Sequence, residues 1–194
     1  MAYADFEAEV GDWLARSDLV AVIPSFIKLA EAKFYRRLRL RALETRLTLP
    51  AVDGVVTMPP EFLKVITILF GECKLNYVTR YTKSNSLSDT QYSTEGFDLL
   101  VGPNVDEVEV VFYQRLPALI ATPPDDTNWV LENAYDVYLY GVLLEATPYL
   151  QDDSRLAIWA GLYDTAIKEL LQKDKSDKLG EGPLVPTRVV GWTP

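Results

Sequence analysis

The sequence has no histidine and a single cysteine, Cys73. The absence of histidine excludes catalytic systems of the Ser-His-Asp or Cys-His type and removes the commonest metal ligand. One cysteine cannot form an internal disulfide, and the position of Cys73 near a strand end predicts a small buried apolar side chain. Walker, GxGxxG, CxxC and HExxH motifs are also missing. We therefore predict a protein that is not an enzyme, with no catalytic residues, no cofactor and no metal site.

Long apolar runs are absent too. The most apolar helical stretch has only eight uncharged residues between Asp136 and Glu145, whereas a helix needs roughly 20 apolar residues to span a bilayer. The first residues show no basic region followed by an apolar run, so no signal peptide is apparent. We expect a protein that is made in a cytoplasm and does not contact a membrane.

Paired carboxylates are the remaining candidates for acid–base chemistry. Two such pairs stand out, Asp89 with Glu95 and Asp125 with Asp126. Both lie in polar stretches, where Asp and Glu commonly form turns and keep a surface soluble. A hydrolase would need two acids that converge in one cleft, and the sequence places no pair in that way. We interpret both pairs as loop residues.

Positive charge is scarce and unevenly distributed. The chain has 19 basic and 28 acidic residues, a net charge of −9, which disfavours binding to phosphate backbones. From Lys28 to Arg46, however, seven basic and two acidic residues give a local balance of +5, so the rest of the chain carries −14. This basic cluster is either a solvated helix face or a contact with an acidic surface of a neighbouring subunit or partner.

Apolar periodicity predicts four helices, and the second of them is the most amphipathic. In that helix Ile27, Ala30, Phe34 and Leu38 recur at spacings of three and four, and Pro24 suits the first turn. The third helix is apolar on nearly all sides, which is typical of a helix in the middle of a bundle. The four predicted helices span about 3–16, 24–44, 129–150 and 153–173.

The pattern between the second and third helices alternates instead, which predicts an antiparallel β insertion at about 46–116. Asp53-Gly54 is a hairpin turn signal, residues 61–64 are expected to form a single turn, and residues 81–95 are polar enough to predict an exposed loop. The predicted fold class is α+β: a bundle of about four helices, an inserted antiparallel β region of five or six strands, and an extended C-terminal arm.

The last 15 residues differ in composition from the rest. Residues 180–194 contain three Gly and three Pro, so they should not form a helix. They also carry five large apolar side chains, which predict a segment that becomes ordered on a partner: Leu184, Val185, Val189, Val190 and Trp192. We therefore expect one domain at 1–179 and a flexible arm at 180–194.

Several short motifs are similar to those of a known family. They are Ile23–Glu31 followed by Leu38-Arg39, then Met58–Leu63, Thr127–Trp129 and Leu139–Ala146. Together they resemble the head-to-tail adaptor proteins of short-tailed phages, the tail tubular protein A-like or phage adaptor family. Met58 and Glu61 depart from the family's Leu-Pro-x-Asp-Phe-Leu turn. The likeness runs from the first helix to about Leu171, and none of its motifs is catalytic.

The resemblance implies a structural virion protein of the neck, made in the host cytoplasm. A homo-oligomeric ring of twelve copies would lie beneath the portal protein and give the tail nozzle or tail tube protein its platform. DNA would pass through the ring without specific binding. In this hypothesis the partner contacts are made by Arg36, Arg37, Arg39 and Arg41 and by the apolar residues Leu184, Val185, Val189, Val190 and Trp192.

One alternative of another class stays open. A packaging or scaffolding factor could bind nucleic acid through the basic helix at 28–46, and its affinity for DNA would then fall steeply with salt.

Overall fold

The computed structural model describes residues 2–79, 87–123, 126–150 and 155–179. Within them, the helices and the two mainly antiparallel sheets confirm the predicted α+β fold class. The α-helices are α1 (Tyr3–Leu14), α2 (Ile23–Arg37), α3 (Trp129–Asn133), α4 (Tyr135–Ala146) and α5 (Leu156–Leu179). The strands are β1 (Glu44–Pro50), β2 (Val55–Thr57), β3 (Phe62–Phe70), β4 (Cys73–Lys74), β5 (Asn76–Tyr77), β6 (Gln91–Glu95), β7 (Asp98–Val101) and β8 (Glu107–Gln114). Short 3-10 helices span Ser17–Val22, Arg41–Leu43 and Thr147–Tyr149.

Helix α4 lies at the centre of the helical bundle. It packs against α1, α2 and α5, and its side chains are buried on several sides, including Val137, Tyr138 and Val142. This confirms the prediction of a central helix that is apolar nearly all round. Gly141 allows the closest approach of α2, because a Cβ there would lie 3.1 Å from Cζ of Phe34.

Two predicted helices end or break earlier than their apolar patterns indicate. Helix α2 ends at Arg37 rather than at residue 44, because Leu38 adopts an extended conformation with φ −85° and ψ 128°. The predicted helix at 129–150 is broken at Ala134 (φ −145°, ψ 54°), which separates α3 from α4. Both breaks keep apolar side chains buried, since Leu38 and Ala134 remain in the core. The apolar periodicity of the sequence therefore extends beyond the residues that are helical.

The last helix is longer than predicted. Helix α5 continues to Leu179 rather than ending at residue 173, so the charged stretch at 174–178 is helical. The predicted helix start at 153 and its N-cap lie in 151–154, outside the described residues.

The β region is a sandwich of two four-stranded sheets, in the orders β1-β8-β3-β4 and β2-β7-β6-β5. Among the described strands, every pair is antiparallel except the short parallel pair β5–β6. Their inner faces share a second hydrophobic core that is separate from the core of the bundle. The predicted alternation of β8 is confirmed, because Val108, Val110 and Phe112 all point into this core.

The predicted hairpin at Asp53-Gly54 is correct in its turn and wrong in its pairing. Asp53 and Gly54 have φ of 52° and 77°, and the backbones of Val52 and Val55 exchange two hydrogen bonds of 2.9 Å. These are features of the tight turns that join antiparallel strands. The returning strand β2 nevertheless pairs with β7 in the other sheet, so the turn leads the chain from one sheet to the other.

Three smaller predictions in the β region are wrong. Strand β3 begins at Phe62, so residues 62–64 are extended rather than part of a helical turn. Strand β6 forms within the stretch predicted as an exposed loop at 81–95, of which 81–86 lies outside the described residues. Cys73 is exposed rather than buried, because it follows the tight turn that joins β3 to β4.

Candidate functional site

The basic cluster lies where α2 ends and the chain enters the β-sandwich. Arg39 follows the last turn of α2, and its Nη1 donates hydrogen bonds to the carbonyl oxygens of Tyr35 (2.8 Å) and Leu38 (2.6 Å). The carbonyls at a helix C-terminus lack partners within the helix and carry partial negative charge, which a guanidinium stabilises. Arg39 therefore caps α2 and helps to stop it there.

Two of the four predicted contact arginines bind α5 of the same chain. The backbone N–H of Arg41 donates to Oδ1 of Asp174 (2.6 Å), and its Nη1 lies 3.3 Å from the carbonyl oxygen of Asp177. The guanidinium of Arg37 lies 5.6 Å from the centre of the Tyr163 ring, a cation–π distance. The structure thus gives Arg37 and Arg41 partners that the sequence alone did not indicate.

Arg36 and Arg39 instead line a groove of about 500 Å³ between α2 and the β-sandwich. Its other lining residues include Leu63 on β3 and Arg115, which directly follows β8. Arg115 was missed by sequence reasoning, because it is far from the basic cluster along the chain and the fold alone brings it there. We call this surface the arginine groove; it is lined by Ala32, Tyr35, Arg36, Arg39, Leu63 and Arg115.

Lys178, near the end of α5, ties the bundle to the sandwich. Its Nζ lies 2.8 Å from Oη of Tyr113 and 3.3 Å from a carboxylate oxygen of Glu44. It also lies 3.1 Å from the carboxylate of Asp174 and 3.2 Å from the carbonyl oxygen of Arg39. Burial lowers the pKa of Lys178, but its hydrogen bonds with Tyr113 and Asp174 raise that pKa more strongly, so the ammonium stays charged. We call these contacts the Lys178 clasp.

A buried polar network joins α2 to α4 and to the segment before α3. The Glu31 carboxylate accepts hydrogen bonds from Oη of Tyr138 (2.6 Å) and from the backbone N–H of Leu119 (2.7 Å). Nδ2 of Asn128 donates to the carbonyl oxygen of Pro117 (3.0 Å), and its Oδ1 accepts from the N–H of Leu131, which caps α3. Nδ2 of Asn128 also lies 3.3 Å from Oη of Tyr138, which links Asn128 to Glu31. Glu31 and Asn128 come from two of the family-like motifs, so these motifs meet in the folded bundle.

The carboxylates of the one candidate pair that lies wholly within the described residues, Asp89 and Glu95, do not converge. Asp89 accepts hydrogen bonds from N and Nδ2 of Asn104 (3.2 and 2.8 Å) and so holds a turn. Glu95 lies at the far end of β6, about 13 Å or more away, given a rise of about 3.3 Å per strand residue. Asp125 lies outside the described residues. In the described part of the chain, no three His, Cys, Asp or Glu side chains are grouped to hold a metal.

The second set of predicted contact residues cannot be placed. Leu184, Val185, Val189, Val190 and Trp192 all lie in 180–194, outside the described residues.

Across the described ranges, the surface offers an arginine-lined groove and exposed apolar side chains, and no helix there is long and apolar enough to cross a membrane. The arginine-lined groove is a basic surface that suits contact with an anionic partner.

Comparison with known families identifies the class of protein. A model of the SU10 adaptor protein family matches residues 1–187, and the chain therefore belongs to that family of structural phage proteins. The resemblance to head-to-tail adaptors is thereby confirmed. Membership places the protein in the virion neck and implies contacts with portal and tail components and with further copies. No curated protein matches the chain significantly.

Proposed function

We propose that the protein forms a ring between the portal and the tail nozzle or tail tube protein, and that this ring lines the DNA exit channel. The family match over residues 1–187 carries this proposal. A ring of twelve copies is the number that the phage adaptor resemblance implies.

The charge of the chain supports a channel through which DNA slides. A net charge of −9 disfavours binding of the chain to phosphate backbones. Its positive charge is concentrated at the end of α2, where contacts with neighbouring chains or with the portal would cover it. Arg36 and Arg39 line an open groove there, while Arg37 and Arg41 are exposed and have partners on α5. We propose that Arg36, Arg37, Arg39 and Arg41 all lie in this contact region.

We also propose that residues 180–194 bind the portal. These residues follow α5 directly, and they carry the apolar side chains Leu184, Val185, Val189, Val190 and Trp192. Short apolar anchors on a Gly- and Pro-rich segment suit binding along the surface of a larger partner.

Co-sedimentation with the portal ring of its phage tests the proposal. The full-length chain should bind at one copy per portal subunit, and a chain truncated after Leu179 should bind more weakly while giving the same circular dichroism spectrum. Failure of both forms to bind would contradict the adaptor ring. DNA binding measured against salt would then test the packaging or scaffolding alternative.

A further inference from the structure

The outer face of α2 carries an exposed apolar side chain between two cations. Leu29 is 51% exposed, and Lys28, Ala32 and Arg36 lie on the same side of the helix, away from its buried residues. The side chains of Lys28 and Arg36 make no hydrogen bond or ion pair with the described residues. The field of Lys28 only offsets part of the rise that burial causes in the pKa of Glu31. We call Lys28, Leu29, Ala32 and Arg36 the α2 ridge.

A groove of about 650 Å³ lies along α1 on another surface of the same chain. The small residues Ala8 and Gly11 line it, so a neighbouring helix can come close to the α1 backbone there. Val20 lines the groove from the 3-10 helix that follows α1, and it is 49% exposed. The carboxylates of Glu7 and Asp12 also line it and make no hydrogen bond or ion pair with the described residues. We call this surface the α1 groove.

The two surfaces complement each other in shape and in charge. The ridge presents Leu29 between cations, whereas the groove presents small side chains between carboxylates. Arg16 also lines the groove, but its guanidinium pairs with Asp18, so the lining carboxylates are not neutralised. Within one chain, α1 and α2 pack against each other through their buried faces. The exposed ridge of a chain therefore does not occupy its own groove.

We propose that the α2 ridge of one copy packs into the α1 groove of a second copy. Leu29 lies over Gly11 and beside Val20, and the two ridge cations pair with the two groove carboxylates. A carboxylate-lined groove of a protein suits these cations better than DNA does, because the net charge of −9 disfavours approach to phosphate backbones. The inference rests on the proposed ring and identifies one of its contacts.

The ridge and the groove share no residue, so the contact is head-to-tail. Each copy offers both surfaces, and every copy can therefore bind two others. Contacts of this kind repeat around a closed ring or along a filament, whereas a self-complementary contact stops at a dimer. The proposed pairing thus produces the type of assembly that an adaptor ring requires.

A charge-reversal experiment on the portal ring tests the pairing. The ridge variant Lys28→Glu/Arg36→Glu and the groove variant Glu7→Lys/Asp12→Lys should each assemble less than the wild type by about tenfold or more, because like charges then face each other. An equimolar mixture of the two variants should recover assembly, since the ridge of each variant fits the groove of the other in an alternating ring.

The matched control Lys64→Glu/Lys74→Glu changes the net charge as much as the ridge variant does, at two exposed residues of the β-sandwich. It should assemble as the wild type does. Normal assembly of the ridge variant or of the groove variant, or no recovery in the mixture, would overturn the pairing.

Photo-crosslinking tests the same contact without a charge change and without a portal. Leu29 is replaced by benzoylphenylalanine, which keeps an apolar side chain at this exposed position, and a concentrated mixture of isotope-labelled and unlabelled chains is irradiated. Mass spectrometry should find crosslinks between residue 29 of one copy and the tryptic peptide 1–16 of another, which contains Ala8 and Gly11. The same probe in place of the exposed Phe97 should give no such crosslink.

Crosslinking and portal binding report on different claims. Crosslinks from residue 29 to other peptides, or none, would refute the pairing even if the chain binds the portal. Absence of portal binding together with the expected crosslinks would refute the adaptor ring and support the pairing.

Discussion

Glu31 is the only charged side chain buried within the described ranges, at 3% exposure. Burial raises the pKa of its carboxyl, and the hydrogen bonds from Leu119 and Tyr138 offset only part of that rise. Its folded pKa therefore lies above the value in the unfolded chain. The folded state binds this proton more readily, so the ionised carboxylate is the form that costs stability.

A Glu31→Gln variant should isolate this effect. As the pH falls from 8 towards the unfolded pKa near 4.5, the wild type should gain free energy of unfolding relative to Glu31→Gln, because only the wild type takes up the proton. Urea unfolding of both proteins across this pH range measures the difference, and contributions from other carboxylates cancel in it. A constant or opposite difference would show that the Glu31 pKa is not raised.

Gly141 and Gly161 offer a matched pair of glycine substitutions in helices. At Gly141 a Cβ would lie 3.1 and 3.3 Å from two ring atoms of the buried Phe34, whereas at Gly161 nothing lies within 4 Å. We expect Gly141→Ala to lower the free energy of unfolding by about 1–2 kcal/mol, because overpacking outweighs the helix propensity of alanine. Gly161→Ala should raise it by about 0.5–1 kcal/mol. Thermal and urea unfolding measure both, and equal effects would mean that Phe34 moves aside.

At the scale of single elements, the sequence predicted the helical faces well and the helix ends poorly. Ile27, Ala30 and Phe34 are buried on α2 as expected, and so is Leu38, which has already left the helix. At the end of α2, Arg39 binds the carbonyl oxygens of Tyr35 and Leu38, and apolar periodicity does not report that contact. The break at Ala134 was missed because apolar side chains are buried on both sides of it, so the apolar pattern continues through it.

The candidate site was only partly visible in the sequence. Arg36 and Arg39 belong to a local cluster that charge counting finds. Arg115 and Leu63 join them only after α2, β3 and β8 have packed. The intramolecular roles of Arg37 and Arg41 depend on α5, whose final turns were not predicted as helix. Contacts between distant parts of the chain are set by topology, which local patterns do not encode.

The Lys178 clasp should stabilise the packing of α5 on the β-sandwich. Lys178→Met keeps most of the aliphatic stem but removes the ammonium from Tyr113, Asp174 and Glu44. We expect a loss of about 1 kcal/mol in the free energy of unfolding, since the group is only partly buried. Amide exchange in the last turns of α5 should also become faster.

Lys175→Met is the control: it removes the same charge at an exposed position of α5 and should change stability by less than about 0.5 kcal/mol. Equal losses in the two variants would argue against the clasp.

At the scale of the whole molecule, net charge determines how strongly the protein binds DNA. With a net charge of −9, the wild type should bind double-stranded DNA more weakly than about 10⁻⁴ M near 0.15 M salt, the weak end of non-specific binding. Arg36→Glu/Arg115→Glu should leave this result unchanged. Fluorescence anisotropy with labelled duplex DNA at several salt concentrations measures it. Tighter binding that falls steeply with salt would favour the packaging or scaffolding alternative.

The position of the Lys178 clasp has a mechanical consequence. The clasp lies one residue before the end of α5, directly ahead of residues 180–194. A pulling force applied to those residues would enter the fold at Lys178 and spread through Tyr113 and Glu44 into the sandwich and through Asp174 along α5. The packing of both hydrophobic cores would then resist the force, and α5 would not unwind turn by turn from its C-terminal end. An anchor of this design resists tension from a bound C-terminal segment, and single-molecule stretching should show a lower rupture force in Lys178→Met.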